Sequence, residues 1–280
     1  MSVKFVIDSA SDILPAEAAE LGVTVLPLTV TFGTDVYYDG VDLTHREFFE
    51  KLAQSATLPT TSQIPPAQFA DCCEALVAEG HTVVIITVSS RLSGTYQSAA
   101  IAASDYPGQV FVVDSLSAAI GQRILLLRGL QLAAQGMDAR EIVAALDEEK
   151  LNIRVMAMID TLEYLKKGGR ISAATALAGT VLSIKPAIEI KDGLVAMAGK
   201  ARGTRQGNVL LRELIAKYGG VNFSKPVALV YSGTSDELLQ KFIAEGGELW
   251  QGRTDLPVCS LGSAIGTHVG PGAYGIAFFA

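Results

Sequence analysis

The chain has 280 residues, 49% of them hydrophobic, a formal net charge of −7 and a sequence pI near 5.0. Such an acidic balance lacks the basic stripe of a nucleic-acid surface, and no apolar run approaches the ~20 residues of a membrane span. The length allows two domains or one large one, and a mean hydropathy of +0.35 supplies a large core with apolar material to spare for a ligand.

The first half alternates strand and helix. Phe5 to Ile7 is a strand ending in Asp8–Ser9–Ala10–Ser11–Asp12, and Pro15 to Leu21 is a helix with Asp12 as its cap and Gly22 as its stop. Val23 to Val30 is extended, and a hairpin-like segment follows through Gly33–Thr34–Asp35 and Asp39–Gly40. Thr44 with Glu47 makes a capping box for a helix to Gln54. Another helix runs from Pro65 to Glu79, ended by Gly80. Val83 to Val88 is apolar without alternation, as a strand covered on both faces should be. After it, Ser93–Gly94–Thr95 opens a helix through small residues to Ala103. Val110 to Asp114 is a strand, followed by Ser115–Leu116–Ser117 and a helix from Ala118 to Gln135. Repeated units of this length imply a parallel sheet with helices on both faces, whose ligands sit beyond the carboxyl ends of the strands. Strand ends at Asp8–Ser9, Ser89–Ser90 and Asp114–Ser115 place several hydroxyls on that rim.

The second half has another texture. Arg154 to Ile159 is a strand, and Leu162 to Lys167 a short helix closed by Gly168–Gly169. Lys191–Asp192–Gly193 turns a hairpin between Ile184–Ile190 and Leu194–Ala198. Gly199 to Arg205 is a basic loop, usually just solvated. A helix over Arg205–Tyr218, a strand over Val227–Tyr231, a helix over Ser235–Glu245 and strands over Val258–Leu261 and Tyr274–Phe279 complete the chain, with Gly266 to Gly272 a glycine-rich loop before the last strand. The fold class is α/β in two domains. Residues 1–158 form a three-layer α/β/α domain with a parallel sheet, and residues 159–280 a two-layer α+β domain with a mixed sheet.

Cys72, Cys73 and Cys259 are an odd count without metal-ligand spacing, which fits a reduced, cytoplasmic protein. Met1 to Asp8 lacks a signal-peptide layout. His45, His81 and His268 are scattered and give no metal motif. At Ser93–Gly94–Thr95 a helix N-terminus offers unpaired N–H groups and partial positive charge, hydroxyls add donors, and Gly94 permits close approach. That suits a carboxylate or phosphate, against the plainer reading of an ordinary Ser cap. Gly-x-Ser-x-Gly is absent around Ser93, and no P-loop occurs, so the chain lacks obvious means to bind and cleave ATP alone.

Asp8–Ser9–Ala10–Ser11–Asp12, Thr61–Ser62–Gln63, Ser90 to Tyr96, Asp160 to Ile171 and His268–Val269–Gly270–Pro271–Gly272, in this order, resemble the DegV family over essentially the whole chain. The resemblance implies a long-chain fatty acid held between two domains, in a bacterial, cytoplasmic subunit without cofactor. That subunit presents the carboxylate to a separate ATP-binding fatty acid kinase. The product is an acyl-phosphate that feeds phospholipid synthesis. Carried over by residue, Ser93 with Gly94 and Thr61 with Ser62 bind the carboxylate, Arg170 and His268 stand beside it, and Arg202 faces the kinase or the transferred phosphate. Thr60 and Ser62 compete with Thr61 for its role, and Arg170 read alone could be only a dipole partner at a helix end. No nucleic acid or metal is implied, and transient membrane contact stays open. Two other readings stay open too: a serine esterase or lipase using Ser93 with His268 as base, and a lipid sensor without a kinase.

Overall fold

The computed structural model describes residues 2–171 and 184–280. β1 (Val3–Asp8) pairs in parallel with β2 (Thr24–Leu26) and, with β6 (Thr82–Thr87) and β7 (Val110–Asp114), builds a four-stranded parallel sheet in the order β2–β1–β6–β7. The middles of β1 and β6, Phe5–Val6–Ile7 and Val83–Val84–Ile85–Ile86, are uninterrupted apolar runs because both faces are covered. Val6, Val83 and Ile85 pack against α3 (Pro66–Ala78) and α4 (Thr95–Ala103). Phe5, Ile7, Val84 and Ile86 pack against α5 (Ile120–Ala134) and α6 (Ala139–Glu149).

A second, mixed sheet holds β8 (Ile153–Met158), β9 (Ile184–Lys191), β10 (Leu194–Arg202), β11 (Ala228–Tyr231), β12 (Val258–Ser260) and β13 (Tyr274–Phe279), in the order β10–β9–β8–β13–β11–β12. Only β11 and β12 run parallel within it. Alternation along β13 shows its two faces. Tyr274, Ile276 and Phe278 pack on α8 (Gly203–Ala216) and α9 (Glu237–Glu245), whereas Ala277 and Phe279 join the core around α5. α5 thus lies between the two sheets, which is why Ile120, Ile124, Leu125, Leu126 and Leu132 are all buried along it, while Arg123, Arg128 and Gln131 keep its remaining edge polar.

The extended run after Val23 divides at Pro27. Its first part is β2; its second, β3 (Thr29–Phe32), pairs with β4 (Asp35–Tyr38) and β5 (Thr60–Ser62) in a small antiparallel sheet ordered β4–β3–β5. α2 (His45–Gln54) starts at the expected box: Thr44 N–H donates to Glu47 Oε2 at 3.0 Å, and Glu47 N–H to Thr44 Oγ1 at 3.3 Å. Its Phe48, Phe49 and Leu52 cover Val30 and Phe32.

Several expectations need correction. Asp12 does not cap α1 (Pro15–Leu21): Leu14 is the N-cap, and the carboxylate of Asp12 turns away to accept Gly262 N–H. The helix α6, announced by a capping box at Asp138 and Glu141, escaped the sequence reading. β8, which a boundary at 158/159 assigns to the first half, is an inner strand of the six-stranded sheet. The basic segment is not a loop, because β10 continues to Arg202 and α8 begins at Gly203, whose φ of +74° makes the corner. Nor is His268 in a loop: it lies in the last turn of α10 (Ser263–Val269), which follows β12. The strand-end hydroxyls are engaged internally: Ser9 Oγ accepts Leu28 N–H, Ser89 Oγ donates to Gly193 O, and Ser115 Oγ donates to Ser117 O.

Candidate functional site

A cavity of about 400 Å³ lies between the two sheets, beyond the carboxyl ends of β1 and β6. Its walls are apolar: Ala118 and Ile120 at the start of α5, Val155 and Ile188 on the mixed sheet, and Val230 with Leu261 from β11 and the end of β12. The same cavity is lined by Thr61, Ser62, Gln63, Ser93, Gly94, Arg170 and His268.

These polar residues form a closed circuit of contacts. Arg170 Nε donates to Leu92 O at 3.2 Å, which fixes it beside Ser93. Gly94 follows, and the amide of Gln63 rests directly on its backbone, where any Cβ would collide with it. Gln63 Nε2 donates to Ser98 Oγ at 3.1 Å, tying β5 to α4. Two residues back, Thr61 Oγ1 lies 2.9 Å from His268 Nε2. The His268 ring stands against Gly168 at the end of α7 (Glu163–Gly168), again where a Cβ would clash. Gly168 O accepts Arg170 Nη1 at 2.7 Å and closes the circuit. The turn that delivers Arg170 is made by Gly169, whose φ of +68° is left-handed.

The six residues expected at the carboxylate are therefore brought to one place. Arg202 is not among them: it is exposed at the end of the edge strand β10, its N–H bonded to Gln206 Oε1 at 3.1 Å. Two contributors went unselected in the sequence, Gln63 and Gly168. The signal for each was a glycine that only a long-range neighbour makes necessary. Ser93 does not itself cap α4. Gly94 is the N-cap, and Ser93 Oγ pairs with Thr95 Oγ1 at 2.9 Å while accepting Thr95 N–H at 3.3 Å.

Burial, reinforced by the Arg170 charge, lowers His268 to a pKa of about 4, so the ring is neutral near pH 7. Its buried Nδ1 has no hydrogen-bond partner among the described residues. Thr61 holds His268 Nε2 and Thr95 holds Ser93 Oγ, so these two make no nucleophile–base pair of the kind acyl-enzyme chemistry needs. Among the described residues, no group of three or more His, Cys, Asp or Glu is arranged to hold a metal ion, and no helix is long and apolar enough to cross a membrane.

Fold and site together define a two-domain α/β protein whose interdomain chamber is apolar along its walls and lined at one place by hydroxyls, an imidazole and a guanidinium. The chain belongs to the DegV family: the model described as "Uncharacterised protein, DegV family" matches residues 2–280. A DegV domain-containing protein of Deinococcus radiodurans is 33% identical over 277 residues, covering 99% of this chain and 98% of the relative. A DegV family protein of Thermus thermophilus, described as binding fatty acid, superposes with a TM-score of 0.90 at 34% identity, covering 100% of both chains. A stearic acid-binding protein of Eubacterium ventriosum superposes with a TM-score of 0.88 at 28% identity, covering 99% of this chain and 97% of the other.

Proposed function

We propose that this protein binds one long-chain fatty acid, tail in the interdomain cavity and carboxylate within the circuit of Thr61, Ser93, Gly94, Arg170 and His268. The observation that carries the reading is the composition of a single chamber: apolar walls from α5 and the mixed sheet, with Thr61, Ser62, Ser93, Gly94, Arg170 and His268 gathered on its lining. Each methylene moved from water into such walls contributes ~0.8 kcal/mol. The carboxylate needs donors instead, and a hydrogen bond to a charged group is worth about 1.5–3 kcal/mol. A neutral His268 can donate Nε2–H to Thr61, leaving the Thr61 hydroxyl to donate to the ligand. The fatty acids named for the Thermus and Eubacterium relatives support the same ligand class here.

Binding is one step of the proposed role. The carboxylate is presented to a separate kinase, which transfers the γ-phosphoryl group of ATP to give an acyl-phosphate for phospholipid synthesis. This chain supplies orientation and a dry tail site, and the partner supplies the nucleotide. Arg202, exposed on the edge strand, is proposed to face that partner or the phosphate. Mass spectrometry of denatured protein purified from cells tests the binding step. A fatty acid carried by wild type and lost from Thr61→Ala and Ser93→Ala is expected. Protein that carries none, and that after delipidation shows no thermal shift with added fatty acid, overturns the reading.

A further inference from the structure

Asp12 and Asp39 are buried carboxylates on two different elements of the first half, and both close on the start of α10. Asp12 Oδ1 accepts Gly262 N–H at 2.7 Å; Asp39 Oδ1 accepts Ser263 N–H at 2.8 Å and the Ser263 hydroxyl at 2.6 Å. These donors are the first N–H groups of the helix, which have no partner within it. Gly262 lets the groups close in: a Cβ there would lie 3.0 Å from Asp39 Oδ1, 3.0 Å from His45 Nε2 and 3.1 Å from Asp12 Oδ1. His45 is held in turn by Ser260, 2.7 Å from its Nδ1. Asp12 and Asp39 are only 2% and 3% exposed, and the second oxygen of each is unpartnered among the described residues. At the far end of the same helix, His268 reaches Thr61.

We propose that Asp12 and Asp39 are positioning residues that clamp α10 and thereby hold His268 in the ligand circuit. α10 has seven residues and is too short to be stable by itself, so its place must come from its ends and its packing. The clamp supplies the end, from the half of the molecule that also supplies Thr61. Other titratable groups around it are Asp8 at the end of β1, His45 on α2, whose ring burial keeps neutral, and Arg123 of α5 with its ion-pair partner Glu17. Arg123 Nη1 also donates to Asp12 O at 3.3 Å.

The inference rests on the fatty-acid reading for its effect on affinity, but its first test needs no ligand. In ligand-free wild type, His268 followed by NMR should titrate near pH 4. In Asp39→Ala, and in Gly262→Ala, where the new Cβ pushes the carboxylates off, the ring should gain water and titrate closer to 6.5. Asp39→Asn keeps an acceptor oxygen and should stay near wild type. The second test is a cycle on long-chain fatty acid affinity. Asp39→Ala should weaken binding roughly tenfold in wild type, the cost of a helix end released, and hardly at all in His268→Ala. A His268 titration unmoved by both clamp variants overturns the proposal, as does an equal loss of affinity in the two backgrounds. Failure of wild type to bind any fatty acid would sink the fatty-acid reading and leave the NMR test of the clamp standing.

Discussion

Thr61 Oγ1 and His268 Nε2 lie 2.9 Å apart, although 207 residues separate them in the chain. One stands on β5 of the small antiparallel sheet and the other on α10, so this bond joins the first and second halves at the polar end of the cavity. The proposed carboxylate site depends on the join, because a ring that donates Nε2–H leaves the Thr61 hydroxyl proton free to donate elsewhere.

That bond sets an expectation for pH. The folded value of His268, about 4, lies below the ordinary 6.5, so folding disfavours the charged ring. Its effect is absent above pH 6.5, and stability is lost as pH falls from 6.5 toward 4, by at most about 3 kcal/mol. Asp8 opposes it: burial raises this carboxyl to about 6, so acidification through the same window relieves a cost. His268→Asn should therefore gain stability relative to wild type between pH 7 and pH 4.5 in urea denaturation. Parallel pH profiles for the two proteins would show that the ring is not held neutral by burial.

Removing single donors tests the carboxylate site. Thr61→Ala and Ser93→Ala should each weaken fatty acid binding by roughly one to two orders of magnitude. Titration calorimetry on delipidated protein reads this directly. Wild-type affinity in both variants would move the carboxylate elsewhere in the cavity.

Gly168 is a test of packing rather than of donors. Its Cα has a helical conformation that alanine tolerates, yet a Cβ would run into the His268 ring. Gly168→Ala should displace the ring, break its bond to Thr61 and weaken fatty acid binding about tenfold. Its crystal structure should show His268 rotated away. A ring found in place, with affinity intact, would mean the circuit is looser than these contacts imply.

Ligand and protein stability should be linked. A long-chain fatty acid that binds only the native state stabilises it by roughly 2.7 kcal/mol at a hundredfold excess over Kd, so Tm rises with concentration. Differential scanning calorimetry of delipidated protein across a series of chain lengths should give the largest rise for the tail that best fills about 400 Å³. No rise for any chain length would exclude the cavity as a tail site.

Arg202 separates binding from transfer. Arg202→Ala should leave fatty acid affinity unchanged, since the side chain is exposed and outside the cavity lining. With the cognate kinase and ATP it should lower acyl-phosphate formation, because phosphate charge develops only in the transfer step. Unchanged transfer would return Arg202 to the status of a solvated residue at a strand end.

By itself, the sequence determined what local chemistry decides. The capping box of Thr44 and Glu47, the Asp192–Gly193 hairpin turn, the stop at Gly22 and the doubly buried strand Thr82–Thr87 each follow from neighbours within a few residues. Membership of the circuit was legible from the residues themselves only at Ser93–Gly94, a helix start suited to an anion, and otherwise only through resemblance, since nothing near Thr61 in sequence marks it above Thr60 or Ser62. Tertiary structure alone decided how the run after Val23 divides between two sheets, that Asp12 turns to Gly262 instead of capping the next helix, and that Arg202 ends a strand. It also decided that His268 rides on a helix seven residues long. The physical reason is common to all four. A strand edge and a short helix cannot satisfy their own backbone groups, nor a buried carboxylate its own oxygens, so their partners come from distant chain, where periodicity and propensity carry no information.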